Sequence, residues 1–260
     1  MVAGERKGGI TRRRALSLFG VAAGVAVVPA VFEAKASPSL HEWTGTALGA
    51  VASITLVHPD RDAAMRIFAR CEAEIERLEK VFSLHRDDSE IVRLNADGIL
   101  PVPSHDMLTL LGVAHRIAAL SKGAFDISIQ PLWRAYADHF LAHPDATDRP
   151  DAATMAAARA LVDYRGIAFT PDAVRFDRPG MAITANGIAQ GYITDKVADL
   201  MRSEGIENVL IDLGEHRALG EHPESRPWRI GIRDPKDGER LIDTIDLKDR
   251  AAATSGGYGT

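Results

Sequence analysis

Three short stretches bring together residue types that can bind or transform a ligand. The first is Asn186-Gly187-Ile188-Ala189-Gln190-Gly191-Tyr192-Ile193-Thr194-Asp195, where two glycines four residues apart stand between a predicted strand and a predicted helix. A helix start leaves backbone N–H groups free, and these can hold a phosphate. A plain strand-to-helix turn, with Gly191 there for close packing, explains the same spacing. The second stretch is Gly123-Ala124-Phe125-Asp126, followed by Pro131-Leu132. Phe125 can stack on a flat ligand, and Asp126 can accept from a ring N–H or a ribose hydroxyl. A connection in which Asp126 caps a turn is the simpler reading of those residues alone. The third, Asp212-Leu213-Gly214-Glu215-His216, closes an apolar run of buried-strand type. Polar groups at strand ends are common site positions, although a loop accounts for this stretch equally. Among the histidines only His139 and His143 have the spacing of a metal pair; they run into Pro144 and read as an exposed helix end.

These stretches need elements to hold them. Apolar residues at Ala64, Ile67, Phe68, Cys71, Ile75, Leu78, Val81 and Phe82 recur with the period of one buried helical stripe, predicting a helix over 60–82. Cys71 lies on that stripe and reads as a small core residue. Further helices are predicted over 104–121, 131–143, 152–161 and 189–205, with a short helical turn from Asp88 to Asn95. Strands are predicted over 49–57, 209–213, 228–232 and 241–247, with a hairpin over 168–176. Another strand is expected to end at Ile183-Thr184, and Ala251 to Tyr258 reads as a strand running into a glycine turn. Strands and helices interleave without strict alternation, which is an α+β pattern.

The first 36 residues are not part of that scaffold. Thr11-Arg12-Arg13-Arg14-Ala15-Leu16 is a twin-arginine pattern, followed by an apolar run to Phe32 and a small-x-small signature at Ala34-Lys35-Ala36. This predicts a Tat-type signal peptide cleaved near Ala36, and a periplasmic mature protein. A membrane anchor is the alternative, since the uncharged stretch from Ala15 to Phe32 is 18 residues long. Its glycine and alanine content and the cleavage signature favour the signal. Residues 1–36 carry six positive and two negative charges, so a chain of net charge −5 becomes −9 without them. That balance argues against nucleic acid as a partner. Cys71 is the one cysteine, so no disulfide forms within the chain.

Taken together and in this order, the segments resemble the ApbE family of flavin transferases, from about Thr44 to Tyr258. Thr46-Ala47-Leu48-Gly49-Ala50 stands where the family has a Met-Gly-Thr stretch. Ser89-Glu90-Ile91 through Asn95 matches its Ser-Glu-Ile-x-x-x-Asn segment. Gly123-Ala124-Phe125-Asp126 with Pro131-Leu132 matches Gly-Ala-Phe-Asp…Pro-Leu, and Gly187 to Tyr192 with Asp195 matches Gly-Ile-Ala-Lys-Gly-Tyr…Asp. Trp228 to Ile232 with Asp234-Pro235, and Thr254-Ser255-Gly256, fit later strands. The twin-arginine segment and the Ala-Gln-Gly-Tyr variant are similar to NosX-type members, which support nitrous oxide reductase maturation.

The resemblance implies an α+β, T-fold-related fold of mixed sheets with packed helices, a single catalytic domain over residues 37–260. It implies that FAD is cleaved at its pyrophosphate with Mg²⁺, AMP leaves, and FMN is attached to a threonine or serine of an acceptor flavoprotein. In that picture Leu48 packs against a ring, His85 in the Ser83–Arg86 loop flanks the ligand, and Asp126 contacts the flavin or adenine part of FAD. Gln190 lies beside FAD where most members have Lys, and the Gly187 carbonyl is a metal ligand. The family's His-x-Ile-Asp-Pro and Asp-Ala-x-x-x-Thr segments would fall beyond residue 260. The sequence is therefore expected to be a piece of a longer protein, with poor metal binding and little transferase activity. An FAD pyrophosphatase and a non-catalytic periplasmic FAD-binding protein are the rival expectations.

Overall fold

Strand β2 (Ala50–His58) buries Ala52, Ile54 and Leu56 on one face, the period-two pattern of a strand with a core on one side. It pairs with β1 (Ser39–Ala47) through the two-residue turn Leu48-Gly49, both at positive φ, and with β6 (Val209–Asp212) on its other edge. The computed structural model describes residues 39–234, 236–237 and 240–254. The predicted signal segment, Pro235, and the glycine turn from Ser255 onward lie outside the described residues.

With β7 (His216–Leu219) and β10 (Ala251–Ala252), these strands form a five-stranded sheet in the order β1-β2-β6-β7-β10. Every pairing in it is antiparallel. Its apolar face is covered by two helices. The first, α1 (Arg61–Phe82), starts at the Asp60 cap and presents the predicted stripe, all of it buried. The other, α6 (Ala189–Ser203), contributes Ile193, Val197, Ala198 and Met201 to the same core. Burial pushes the Cys71 thiol up to about 12, so it packs as an apolar group. On the opposite face lies a two-stranded hairpin, β8 (Trp228–Arg233) and β9 (Leu241–Leu247). Its Trp228 is buried beside Ala218 and donates its indole N–H to the Leu219 carbonyl at 3.1 Å.

Between α1 and α6 the chain forms α2 (Glu90–Asp97), β3 (Ile99–Pro101), α3 (His105–Leu120), α4 (Gln130–Ala142), α5 (Ala152–Ala160), β4 (Ile167–Phe169) and β5 (Ala173–Phe176). Strands β3, β5 and β4 make a small antiparallel sheet. Helix α2 runs two residues past the predicted end at Asn95, to a left-handed Gly98 whose N–H bonds to the Leu94 carbonyl at 2.9 Å. The expected α+β class holds. No helix among the described residues is long and apolar enough to cross a membrane.

One predicted strand is absent. Residues 181–185 are buried or half-buried but pair with no strand. A side chain takes the place of a ladder: Asn95 Oδ1 accepts the Ile183 N–H at 2.7 Å, and Asn95 Nδ2 donates to the Ile183 carbonyl at 2.8 Å. The next amide, Thr184, donates to the Ile127 carbonyl at 2.8 Å. An apolar run with its main chain satisfied in this way reads as a strand in sequence and is none in space.

Candidate functional site

A cleft of about 680 Å³ opens where the start of α6 meets the β6–β7 turn and β10. Gly187, Gln190, Gly191, Asp195, Glu215 and His216 are among the residues that line it. Its floor is set by the segment that Asn95 tethers. After Ile183 the chain turns on the Ala185 carbonyl, which accepts from both Ile188 and Ala189, at 2.9 and 2.7 Å. Helix α6 then begins with no side-chain cap, and its first main-chain bond back to the turn runs from Tyr192 to the Ile188 carbonyl at 3.1 Å. The N–H groups of Gln190 and Gly191 are left without a main-chain partner among the described residues. Two unused donors at the positive end of a helix dipole make an anion-holding position.

Tyr192 fixes that helix end from behind. Its hydroxyl donates to Asp106 Oδ1 at 2.7 Å, while Arg77 donates to Asp106 Oδ2 at 2.7 Å and Phe82 packs edge-on against the ring at 5.5 Å. Burial, reinforced by the Asp106 carboxylate, raises the phenol above its ordinary value, so it remains a neutral donor. This part of the glycine-rich stretch positions α6 against α1 and α3.

The far wall is the turn between β6 and β7. Asp212 and His216 face each other in register, with Oδ2 and Nε2 3.3 Å apart. The imidazole contact is the main cause holding Asp212 below the usual carboxylate range. The same contact raises His216 above the usual imidazole value, against burial, with the charge of Glu215 adding to the rise. Gly214 turns at φ 92°, which strains any other residue, and a Cβ there would stand 2.5 Å from Gln190 Nε2 and push that amide aside. Thr254 donates its N–H to Glu215 Oε2 at 3.1 Å and closes the cleft from the β10 side.

The five residues singled out by resemblance fall in three places. Gly187 and Gln190 line the cleft together. Asp126 stands one residue from Phe125, whose ring lies 3.4 Å from where a Cβ on Gly187 would be. Its carboxylate is engaged within the chain: Oδ1 accepts from the Ser128 N–H at 2.8 Å and its hydroxyl at 2.6 Å, and Oδ2 from the Tyr164 N–H at 2.9 Å. Those bonds cap the turn at Ile127–Ile129 and tie it to Tyr164–Gly166. Leu48 and His85 are not among the cleft-lining residues. Glu79 relates them: Oε1 accepts the Leu48 N–H at 2.7 Å, and Oε2 lies 4.0 Å from Arg86, the neighbour of the exposed His85. Leu48 is held at φ 50°, a conformation that leucine rarely adopts. The Asp212–His216 contact is the site feature that residue spacing did not show. Its signal was a pair of complementary residues flanking a glycine, close enough to face each other across a tight hairpin.

A main-chain carbonyl such as that of Gly187 offers an oxygen, the donor type that suits Mg²⁺. Among the described residues no three His, Cys, Asp or Glu side chains gather to hold a metal. Mg²⁺ commonly keeps waters and binds through substrate phosphates rather than in an all-protein cage. The exposed Gly187, at the lip of the cleft, fits as one oxygen ligand in such an arrangement.

The family model described as the ApbE family matches residues 48–260. An FAD:protein FMN transferase of Klebsiella pneumoniae (strain 342) is 28% identical over 222 residues, covering 82% of this chain and 63% of that protein. One from Vibrio cholerae (strain O395) is 33% identical over 195 residues, covering 72% and 58%. The chain thus spans about three fifths of the length of these relatives. Among solved structures, the flavin transferase ApbE from Vibrio cholerae superposes with a TM-score of 0.73 at 26% identity, covering 86% of this chain and 74% of that one. The apo flavinyl transferase ApbE of Pseudomonas stutzeri gives 0.71 at 27%, covering 85% and 70%. A family match over most of the sequence and a shared three-dimensional arrangement lead to one assignment: the chain belongs to the ApbE family.

Proposed function

We propose that this protein transfers the FMN part of FAD to a threonine or serine hydroxyl of an acceptor flavoprotein, with Mg²⁺ and release of AMP. The observation that carries the reading is the cleft at the start of α6, where Gln190 and Gly191, with their N–H groups unused, share the lining with Glu215 and His216 in a chain of the ApbE family. In the reaction the acceptor hydroxyl oxygen bonds to the FMN phosphorus as the bond from that phosphorus to the AMP oxygen breaks. AMP leaves with the electron pair, and the hydroxyl proton passes to the medium. The Gln190 and Gly191 N–H groups hold phosphate oxygens, and preorganised donors of this kind cost no rearrangement as charge shifts. Mg²⁺, when bound through the Gly187 carbonyl, supplies charge neutralisation and in-line orientation. The setting proposed is the periplasm after Tat export, in maturation of a redox system such as nitrous oxide reduction.

The test is mass spectrometry of a threonine-bearing flavoprotein acceptor after incubation with this protein, FAD and Mg²⁺. A gain equal to one FMN, dependent on all three, is expected. Release of FMN and AMP with no acceptor adduct would replace transfer by pyrophosphate hydrolysis. FAD binding with neither product would replace it by a carrier role.

A further inference from the structure

A pyrophosphate carries two negative charges, and the cleft wall is acidic. Asp195 and Glu215 line it, Gln190 is neutral, and no lysine or arginine is among the lining residues. Arg217, next along β7, already pairs with Asp195 at 3.5 Å. Among the described residues, one lining side chain can carry a positive charge, and it is His216. Its Nε2 is turned to Asp212 on β6, and Nδ1 has no partner among the described residues. The ring is partly buried, with 29% of the side chain exposed, so its orientation is set by the contact rather than by solvent. The charged groups around it are Asp212 from β6, Glu215 and Arg217 on either side in the chain, and Asp195 from α6. The adjoining β10 brings only Ala251 and Ala252, with Arg250 before them.

We infer that His216, oriented by Asp212, is the cationic anchor of the cleft and binds the pyrophosphate of FAD through its free ring nitrogen. The inference rests on the flavin reading of the cleft and adds to it a specific ligand contact. It makes FAD affinity depend on pH, because neutral His216 leaves the phosphates facing two carboxylates with no cationic side chain among the described lining residues. Asp212 acts through the ring as a positioning residue, keeping His216 charged to higher pH than an ordinary imidazole. The α6 N–H donors alone do not distinguish this chain from any uncapped helix start; the paired histidine opposite them does.

Equilibrium binding of FAD and of riboflavin, followed by flavin fluorescence between about pH 6 and pH 9, separates the possibilities. For the unaltered protein, FAD affinity should fall as pH rises and riboflavin affinity should stay level. His216→Gln should weaken FAD about 10- to 100-fold at low pH, the range of a lost charge-assisted hydrogen bond, and flatten the profile. Asp212→Asn should move the loss of affinity to lower pH. His216→Lys, which keeps a charge across the range, should restore FAD binding at pH 9 and guards against a merely unfolded glutamine variant. An unchanged FAD profile in His216→Gln, or equal losses for FAD and riboflavin, would overturn the inference while leaving the flavin reading intact. Failure of the unaltered protein to bind FAD at any pH would overturn both.

Discussion

At the scale of single residues, the Asp212–His216 contact also writes itself into stability. Asp212 has its carboxyl held low, so its contribution is present above the unfolded value near 3.9 and is lost as pH falls through the folded value. His216 is raised, so its contribution is complete below the unfolded value of about 6.5 and is lost as pH rises through the folded value. The stability difference between the unaltered protein and Asp212→Asn should therefore be largest between about pH 4 and 6.5 and shrink on both sides. Urea unfolding at a series of pH values reads this; a difference flat from pH 4 to 9 would mean that the pair is not ionised as described. Asp126 shows what residue types alone do not reveal. A carboxylate after Gly-Ala-Phe suits a ligand contact and a turn cap equally, and only the positions of Ser128 and Tyr164 show that it accepts three bonds from the chain itself. His216 is the converse. It stands four positions after Asp212, a spacing that matters on a helix, yet here a hairpin brings the two together.

Among the elements, those with a long apolar period were legible in the sequence. Helix α1 shows its stripe residue for residue, and Asp60, Ser89 and Ser104 mark helix starts through the bonds their side chains accept. Strand β1 went unread because its residues alternate between half-buried and exposed at a sheet edge, leaving no apolar run. Strand β3 is three residues long and ends in Pro101, which contributes no donor to a ladder. The misread segment at residues 181–185 failed for another reason: its partner, Asn95, lies 88 residues away in the chain. The Ser-Glu-Ile-x-x-x-Asn segment is thus a positioning device. Ser89 bonds the Ser83 carbonyl at 2.7 Å, Glu90 accepts the Ser104 N–H at 3.1 Å, and Asn95 holds the floor of the cleft. Asn95→Ala leaves two polar groups of Ile183 unpaired and should cost on the order of 2–3 kcal/mol in chemical denaturation. Asn95→Asp keeps the acceptor for the Ile183 N–H but sets a carboxylate oxygen against the Ile183 carbonyl, so it should also destabilise, and more once the carboxyl is ionised. Equal stability of all three proteins would show that water replaces the amide without penalty.

Over the whole molecule, one face of the five-stranded sheet is closed by α1 and α6 and the other by the β8–β9 hairpin, with Cys71 deep in the first layer. That thiol reports on the integrity of the layer. Its modification by a thiol reagent should follow the global unfolding transition, with a rate in water far below that of the denatured chain. Rapid labelling under native conditions would mean that α1 opens on its own. The α+β class was legible from the interleaved helix and strand patterns, since those periods are local properties. The cleft was beyond that reach, because its walls come from four elements that meet only after the sheet is assembled. Asn95 gives this arrangement a final property. It recognises Ile183 by its peptide group alone and is indifferent to the side chain that the peptide carries. The loop carrying Gly187 is therefore fastened by an address written in the main chain. The side chains of Asn186 and Gln190 line the cleft outside the core and can be exchanged to reshape the ligand's surroundings while the fastening stays put, whereas Ile188 and Ala189 belong to the packing of α6.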